Sequence, residues 1–137
     1  MATRSTIAME FTDGTVKQVY CHWDGYLEGV GKTLVEHYTS LEKVESLLNE
    51  GSISILGKDI GEKHSFDDHL DGEFCTFYTR DRGDSHHVSS FGSIDDYERH
   101  RQYEEFDYLL TQDGVWNVFH DDDWNDLEFV LKEQNII

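Results

Sequence analysis

Carboxylates dominate the chemistry open to this sequence. Twenty-nine Asp and Glu stand against eleven Lys and Arg among 137 residues, a formal charge of −18 at pH 7. Residues 1–60 hold nine acids and five bases, net −4, whereas residues 61–137 hold twenty acids and six bases, net −14. Within that second half Asp95, Asp96, Glu98, Glu104, Glu105, Asp121, Asp122, Asp123 and Asp126 recur at short intervals. Gathered on one surface they would imitate the phosphate ladder of a duplex, whose charges fall about 1.7 Å apart along the axis, and would fill a DNA-binding groove on another protein. Long-range attraction would make that association fast and sensitive to salt. The same potential repels phosphate backbones and anionic headgroups, so direct nucleic-acid and membrane-surface binding are not expected. The plain alternative is an acidic surface that serves only solubility.

Arg80 and Arg82 form a basic island in this acidic half. Paired guanidinium forks bind oxyanions bidentately, and Trp23 and Tyr26 of a glycine-bearing loop would add stacking faces. Together these four residues define the alternative reading, a module that binds or sequesters an anionic nucleotide or signalling molecule. Pairing of the arginines with Asp81 or Asp84 is the structural alternative. Gly29-Val30-Gly31-Lys32-Thr33 suggests a phosphate loop, because backbone amides, a lysine and a hydroxyl are what such a loop uses. The spacing fails, since Tyr26 stands where a Walker loop needs its first glycine. The segment therefore reads as a loop shaped by its glycines.

Imidazoles and carboxylates crowd residues 64–87, where His64, His69, His86 and His87 are the candidate metal ligands beside Asp67, Asp68, Asp71 and Asp84. Converged, three or four of them would suit zinc, manganese or iron and would activate a water for hydrolysis. No fixed-spacing metal motif occurs, so no metal or cofactor is assigned, and a metal-dependent hydrolase ranks third. Cys21 and Cys75 lack C-x-x-C spacing and read as buried free thiols. Cys21 and His22 are consecutive on a strand and point to opposite faces, which excludes a direct dyad. No catalytic residue is assigned.

The elements that must position these groups follow from periodicity. Residues 5–11 alternate, Asp13-Gly14 marks a tight turn, and residues 15–23 complete a hairpin. Leu34, Val35 and Tyr38 share the face of a short helix. Thr39 with Glu42 has the capping-box pattern, and Leu41, Val44, Leu47 and Leu48 then recur at helical spacing until Gly51. Residues 52–56 alternate briefly, residues 57–72 suit a loop, residues 73–80 read as a strand and residues 81–92 as another loop. Ser93 caps a helix to Tyr103, and Asp113-Gly114 joins residues 106–111 to 115–120 in a second hairpin. Asp121–Asp123 would cap a final helix carrying Trp124, Leu127 and Leu131, with an extended strand at residues 127–131 as the alternative.

Met1-Ala2-Thr3-Arg4-Ser5-Thr6-Ile7, Cys21-His22-Trp23-Asp24-Gly25-Tyr26, Gly29-Val30-Gly31, Glu36-His37-Tyr38, Cys75-Thr76-Phe77-Tyr78 and Arg80-Asp81-Arg82-Gly83 form a pattern over residues 1–85. It resembles a family of small phage and prophage accessory proteins, the T-even-type phage members most closely. The resemblance implies a phage accessory role and supplies no catalytic residue.

These readings converge on one domain, residues 1–137, of the α+β class. The expected architecture is an antiparallel sheet of two β-hairpins plus a central strand, with helices packed mainly on one face. Without a long apolar run or an apolar leader, the expected compartment is the host cytoplasm. The expected role is a non-catalytic accessory protein that inhibits a host factor with a basic surface. An outer hairpin strand would offer an edge to a second copy, as a homodimer.

Overall fold

The computed structural model describes residues 2–137. Both expected hairpins form. The first joins β1 (Ser5–Glu10) to β2 (Val16–Cys21), and the second joins β6 (Phe106–Leu110) to β7 (Trp116–His120). Their turns share one solution. Gly14 N–H donates to the Phe11 carbonyl at 2.9 Å while Phe11 N–H donates to that of Thr15 at 2.7 Å, and Gly114, Thr111 and Val115 repeat the pattern. In each turn the glycine alone takes the left-handed backbone, φ 89° and 85°, which is the three-residue hairpin loop with a glycine bulge.

Between the hairpins lie α1 (Lys32–His37), α2 (Leu41–Asn49), β3 (Ile53–Ile55), β4 (Thr76–Phe77), α3 (Tyr78–Arg82), β5 (Ser89–Phe91) and α4 (Ile94–His100). After them come β8 (Asp123–Asp126) and α5 (Leu127–Glu133). The eight strands form one sheet in the order β4-β3-β2-β1-β6-β7-β8, with β5 beside β2.

The α+β class holds, but the sheet is mixed rather than antiparallel. β1 runs parallel to β6 and β2 parallel to β3, while the other pairings are antiparallel. The reason lies in β1, where every residue from Ser5 to Met9 is buried. A strand buried on both faces belongs at the centre of a sheet, and β6 reaches its free side only after the chain has crossed over the helical layer. The expected central strand over residues 73–80 shrinks to Thr76–Phe77 near the edge. There the Asp81 carboxylate accepts from Phe77 N–H at 2.8 Å and the chain turns into α3.

One face of the sheet carries Ile7, Met9, Val19 and Tyr108 against Leu34 of α1, Val44, Leu47 and Leu48 of α2, and Leu127 and Leu131 of α5. The other face carries Ala8, Val16 and Leu109 against Phe91 and Tyr97, so α4 alone of these helices covers it. Two helix caps differ from expectation. Ser40, rather than Thr39, accepts from Lys43 N–H at 3.1 Å to open α2. Asp121–Asp123 turn into β8 instead of capping a helix, and Asp126 caps α5 by accepting from Phe129 N–H at 2.9 Å.

Candidate functional site

β8 ends the sheet on one side, and acidic residues stand on it, in the turn before it and on the helix beside it. The turn from β7 holds Asp121 and Asp122 at φ 56° and 64°, left-handed backbone that aspartate tolerates through its own local hydrogen bonding. Trp124 fixes the neighbouring helix. Its indole lies 5.2 Å from Phe119 and 6.3 Å from Tyr97, and its Nε1–H donates to Glu98 at 3.3 Å, which draws α4 alongside β8. The backbone carbonyl of Glu105 lies 3.4 Å from His120 Nδ1, and Asp121 lies 3.6 Å from His120 Nε2. Glu98, Glu105, Asp121, Asp122 and Asp123 are all exposed there.

The remaining candidates serve otherwise. Asp96 accepts from Gly92 N–H at 2.9 Å and pairs with His100 at 2.8 Å, and these bonds hold its carboxyl below the usual range. Asp126 is the cap of α5, Asp95 is exposed on the first turn of α4, and Glu104 is half-buried.

Behind this edge lies a polar cluster that sequence reading missed. Arg101 donates to Asp107 at 2.8 Å with both side chains buried. The guanidinium carbon stands 3.7 Å from the Tyr103 ring centre, 4.6 Å from Phe119 and 5.2 Å from Trp124. Asp107 also accepts from Thr6 at 2.6 Å, and Gln18 donates to Thr6 at 2.9 Å. Burial pushes the Asp107 carboxyl up against the opposing pull of Thr6 and Arg101. The one available signal was an aspartate inside the apolar run Phe106–Leu110, a charge a buried strand carries only when paired.

The four residues of the ligand reading do not form one site. Arg80 is a structural strut. Its guanidinium donates to Asp81, to the Ile60 and Gly61 carbonyls at 3.0 Å each, and to the Cys75 carbonyl at 2.9 Å, while covering the Phe77 ring. Arg82 pairs with Asp84 at 2.6 Å and lies over Phe66 and Tyr78. It borders a recess with Tyr20 and His87 that excludes Trp23 and Tyr26. Trp23 and Tyr26 are exposed, and Trp23 borders a cleft.

The histidines also stay apart. His64 Nε2 contacts the Cys75 carbonyl at 3.0 Å and lies 3.7 Å from Asp81, whereas His86 Nε2 contacts the Asn49 carbonyl at 2.8 Å. His69 lines a recess beside Trp23 and His87 the recess beside Arg82. Among the described residues no three His, Cys, Asp or Glu side chains stand where they could hold a metal ion. Both cysteines are free and buried, and burial pushes the Cys21 thiol up to about 12. A thiol so displaced is a poor nucleophile.

The glycine loop is explained by packing. A Cβ on Gly29 would stand 2.1 Å from the Asp24 carbonyl, which accepts from Val30 N–H at 2.8 Å. That folded loop forms one wall of a cleft of about 390 Å³ bordered by Trp23, Lys32, Thr33, His37 and Lys58.

Comparison with family models, with curated proteins and with solved structures finds no match. Function is therefore argued from these sites and their chemistry. Among the described residues no helix is long and apolar enough to cross a membrane.

Proposed function

We propose that this chain is a non-catalytic phage accessory protein that works in the host cytoplasm, docking the acidic β8 edge on a basic surface of a host protein and inhibiting it, in takeover or anti-defence, as a decoy for duplex DNA. The observation that carries the reading is that Asp121–Asp123 are exposed at the start of the edge strand β8, with exposed Glu98 held beside it through Trp124. Trp124 and the β7–β8 turn fix the backbone beneath these charges, so docking sacrifices little conformational freedom. Like charges held together this way repel one another and are relieved when a cationic surface meets them. The net charge of −18 adds long-range steering. The resemblance to phage accessory proteins supplies the biological setting.

The test is capture of host proteins by the tagged chain at low and high salt, with duplex DNA as competitor. Beside it runs a variant carrying Asp121→Asn, Asp122→Asn and Asp123→Asn. Asparagine keeps the left-handed turn while removing its charge. The expected result is a nucleic-acid-binding protein that salt releases, that DNA displaces and that the variant does not retain. Retention by the variant, or indifference to DNA, overturns the decoy mechanism.

A further inference from the structure

We propose that the cleft beside Trp23 is a second binding site, at the end of the sheet away from β8, and that it takes a nucleoside 5′-monophosphate. The cleft lies between the glycine loop with α1 on one side and β3 with the loop that follows it on the other. Its volume of about 390 Å³ falls in the range of small-molecule sites, roughly 300–1,000 Å³.

Three kinds of group meet there, and each matches one part of a nucleotide. Trp23 is 41% exposed, and His22 sets against it edge-on at 4.9 Å. An indole held this way offers a face on which any base can stack. Lys32 makes no ion pair among the described residues, and with the Thr33 hydroxyl, His37 and Lys58 it gives the cleft the donors a phosphate needs. Lys58 pairs with Glu73 at 3.3 Å, a contact that is exposed and weakly held. Lys43 stands just behind, its ammonium donating to the His37 and Lys58 carbonyls at 2.6 and 2.8 Å. Two of the six lysines thus line one cleft in a strongly acidic chain, while Lys43 itself is paired with Asp59 at 2.9 Å.

Asp24 decides between a bare anion and a nucleotide. Asp24 shares the lining with Trp23, and Glu36 borders the same cleft beside Lys32 and Thr33; carboxylates there would repel free phosphate, yet would accept from ribose hydroxyls or an exocyclic amine. Beyond Trp23 the cleft continues into a second recess of about 490 Å³ that shares Trp23, Asp24, Ile55 and Gly72. Asp71 and Gly72 border it, and they follow Leu70 in a run with φ of 51°, 52° and 77° for Leu70, Asp71 and Gly72. Consecutive left-handed residues that include a leucine store strain, and such strain clusters at ligand-clamping loops.

The experiment is calorimetric titration of the intact chain with AMP and UMP, alongside adenosine, ribose 5-phosphate and inorganic phosphate, with tryptophan fluorescence read in parallel. One nucleotide should bind per chain and quench Trp23, and adenosine or phosphate alone should bind at least about tenfold more weakly. Trp23→Ala and Lys32→Ala should each weaken AMP binding about tenfold or more. Trp23→Phe should retain binding, and Arg82→Ala, outside the cleft, should leave it unchanged. Circular dichroism of each variant confirms that the fold is kept, and the exposed Lys58→Ala substitution provides a further variant if one fails. The proposal is overturned if neither nucleotide binds below about 1 mM, if binding survives both Trp23→Ala and Lys32→Ala, or if inorganic phosphate binds as tightly as AMP.

Discussion

At the scale of single residues, the two arginines two positions apart make the clearest contrast. Arg80 satisfies three carbonyls and a carboxylate, and Arg82 holds one exposed carboxylate. Arg80→Ala strands those acceptors and is expected to lower stability by about 2–4 kcal/mol, read as a fall in Tm, whereas Arg82→Ala leaves Tm unchanged. Asp81, the partner of Arg80, carries a pH dependence. Burial pushes its carboxyl up, but the hydrogen bonds from Arg80 and from the Phe77 and His64 amides outweigh burial and hold it below the usual range. A depressed folded value means that ionised Asp81 contributes stability above its unfolded value of about 4, and that this is lost as pH falls through the folded value. Asp81→Asn is therefore expected to flatten the decline of Tm below pH about 4. Asp107→Ala leaves buried Arg101 without its counter-ion and should cost about 3–5 kcal/mol, measurable by urea denaturation.

At the scale of elements, caps and turns set the boundaries. Ser40 and Ser93 each accept an amide at the start of their helices, from Lys43 at 3.1 Å and Asp96 at 3.0 Å. Alanine at either position is expected to remove about 1 kcal/mol of stability, while Thr39→Ala changes nothing, a difference that chemical denaturation resolves. The capping box was legible in outline one residue early, because Thr39, Ser40 and Glu42 offer overlapping patterns and it is Ser40, with extended backbone, whose hydroxyl accepts from Lys43 N–H. Residues 121–126 went the other way. The acids that favour a helix start instead occupy a left-handed turn, since pairing of Trp124 with Phe119 across β7 and β8 buries aromatic surface that a helix there would expose.

At the scale of the whole molecule, charge and sheet edges govern association. The outer strands of both hairpins, β2 and β7, are covered by β3, β5 and β8 rather than left open. The edges that remain are β4, β5 and β8, two to four residues long, and β8 carries aspartate at both ends. Short charged edges resist pairing with a second copy. Sedimentation is expected to show a monomer, and Tm is expected to rise as added salt screens the repulsion within a chain of charge −18. A dimer would contradict the first expectation, and a Tm indifferent to salt the second.

What depends on neighbours along the chain was readable from the residues alone. Both Asp-Gly hairpins, the α2 periodicity ending at Gly51, the acidity of the second half and the absence of a Walker loop are local facts, settled by turn geometry, helical spacing and composition. Tertiary structure alone decided the parallel junction of β1 with β6, which sets Thr6 beside Asp107 from 101 residues away. It also set α4, with Glu98, alongside β8, consumed Arg80 inside the fold, and brought Lys32 and Lys58 to one cleft from distant segments. Hydrophobic periodicity says which face of an element is buried, but the partner it is buried against is chosen by packing among distant segments, and that choice distributes the charges.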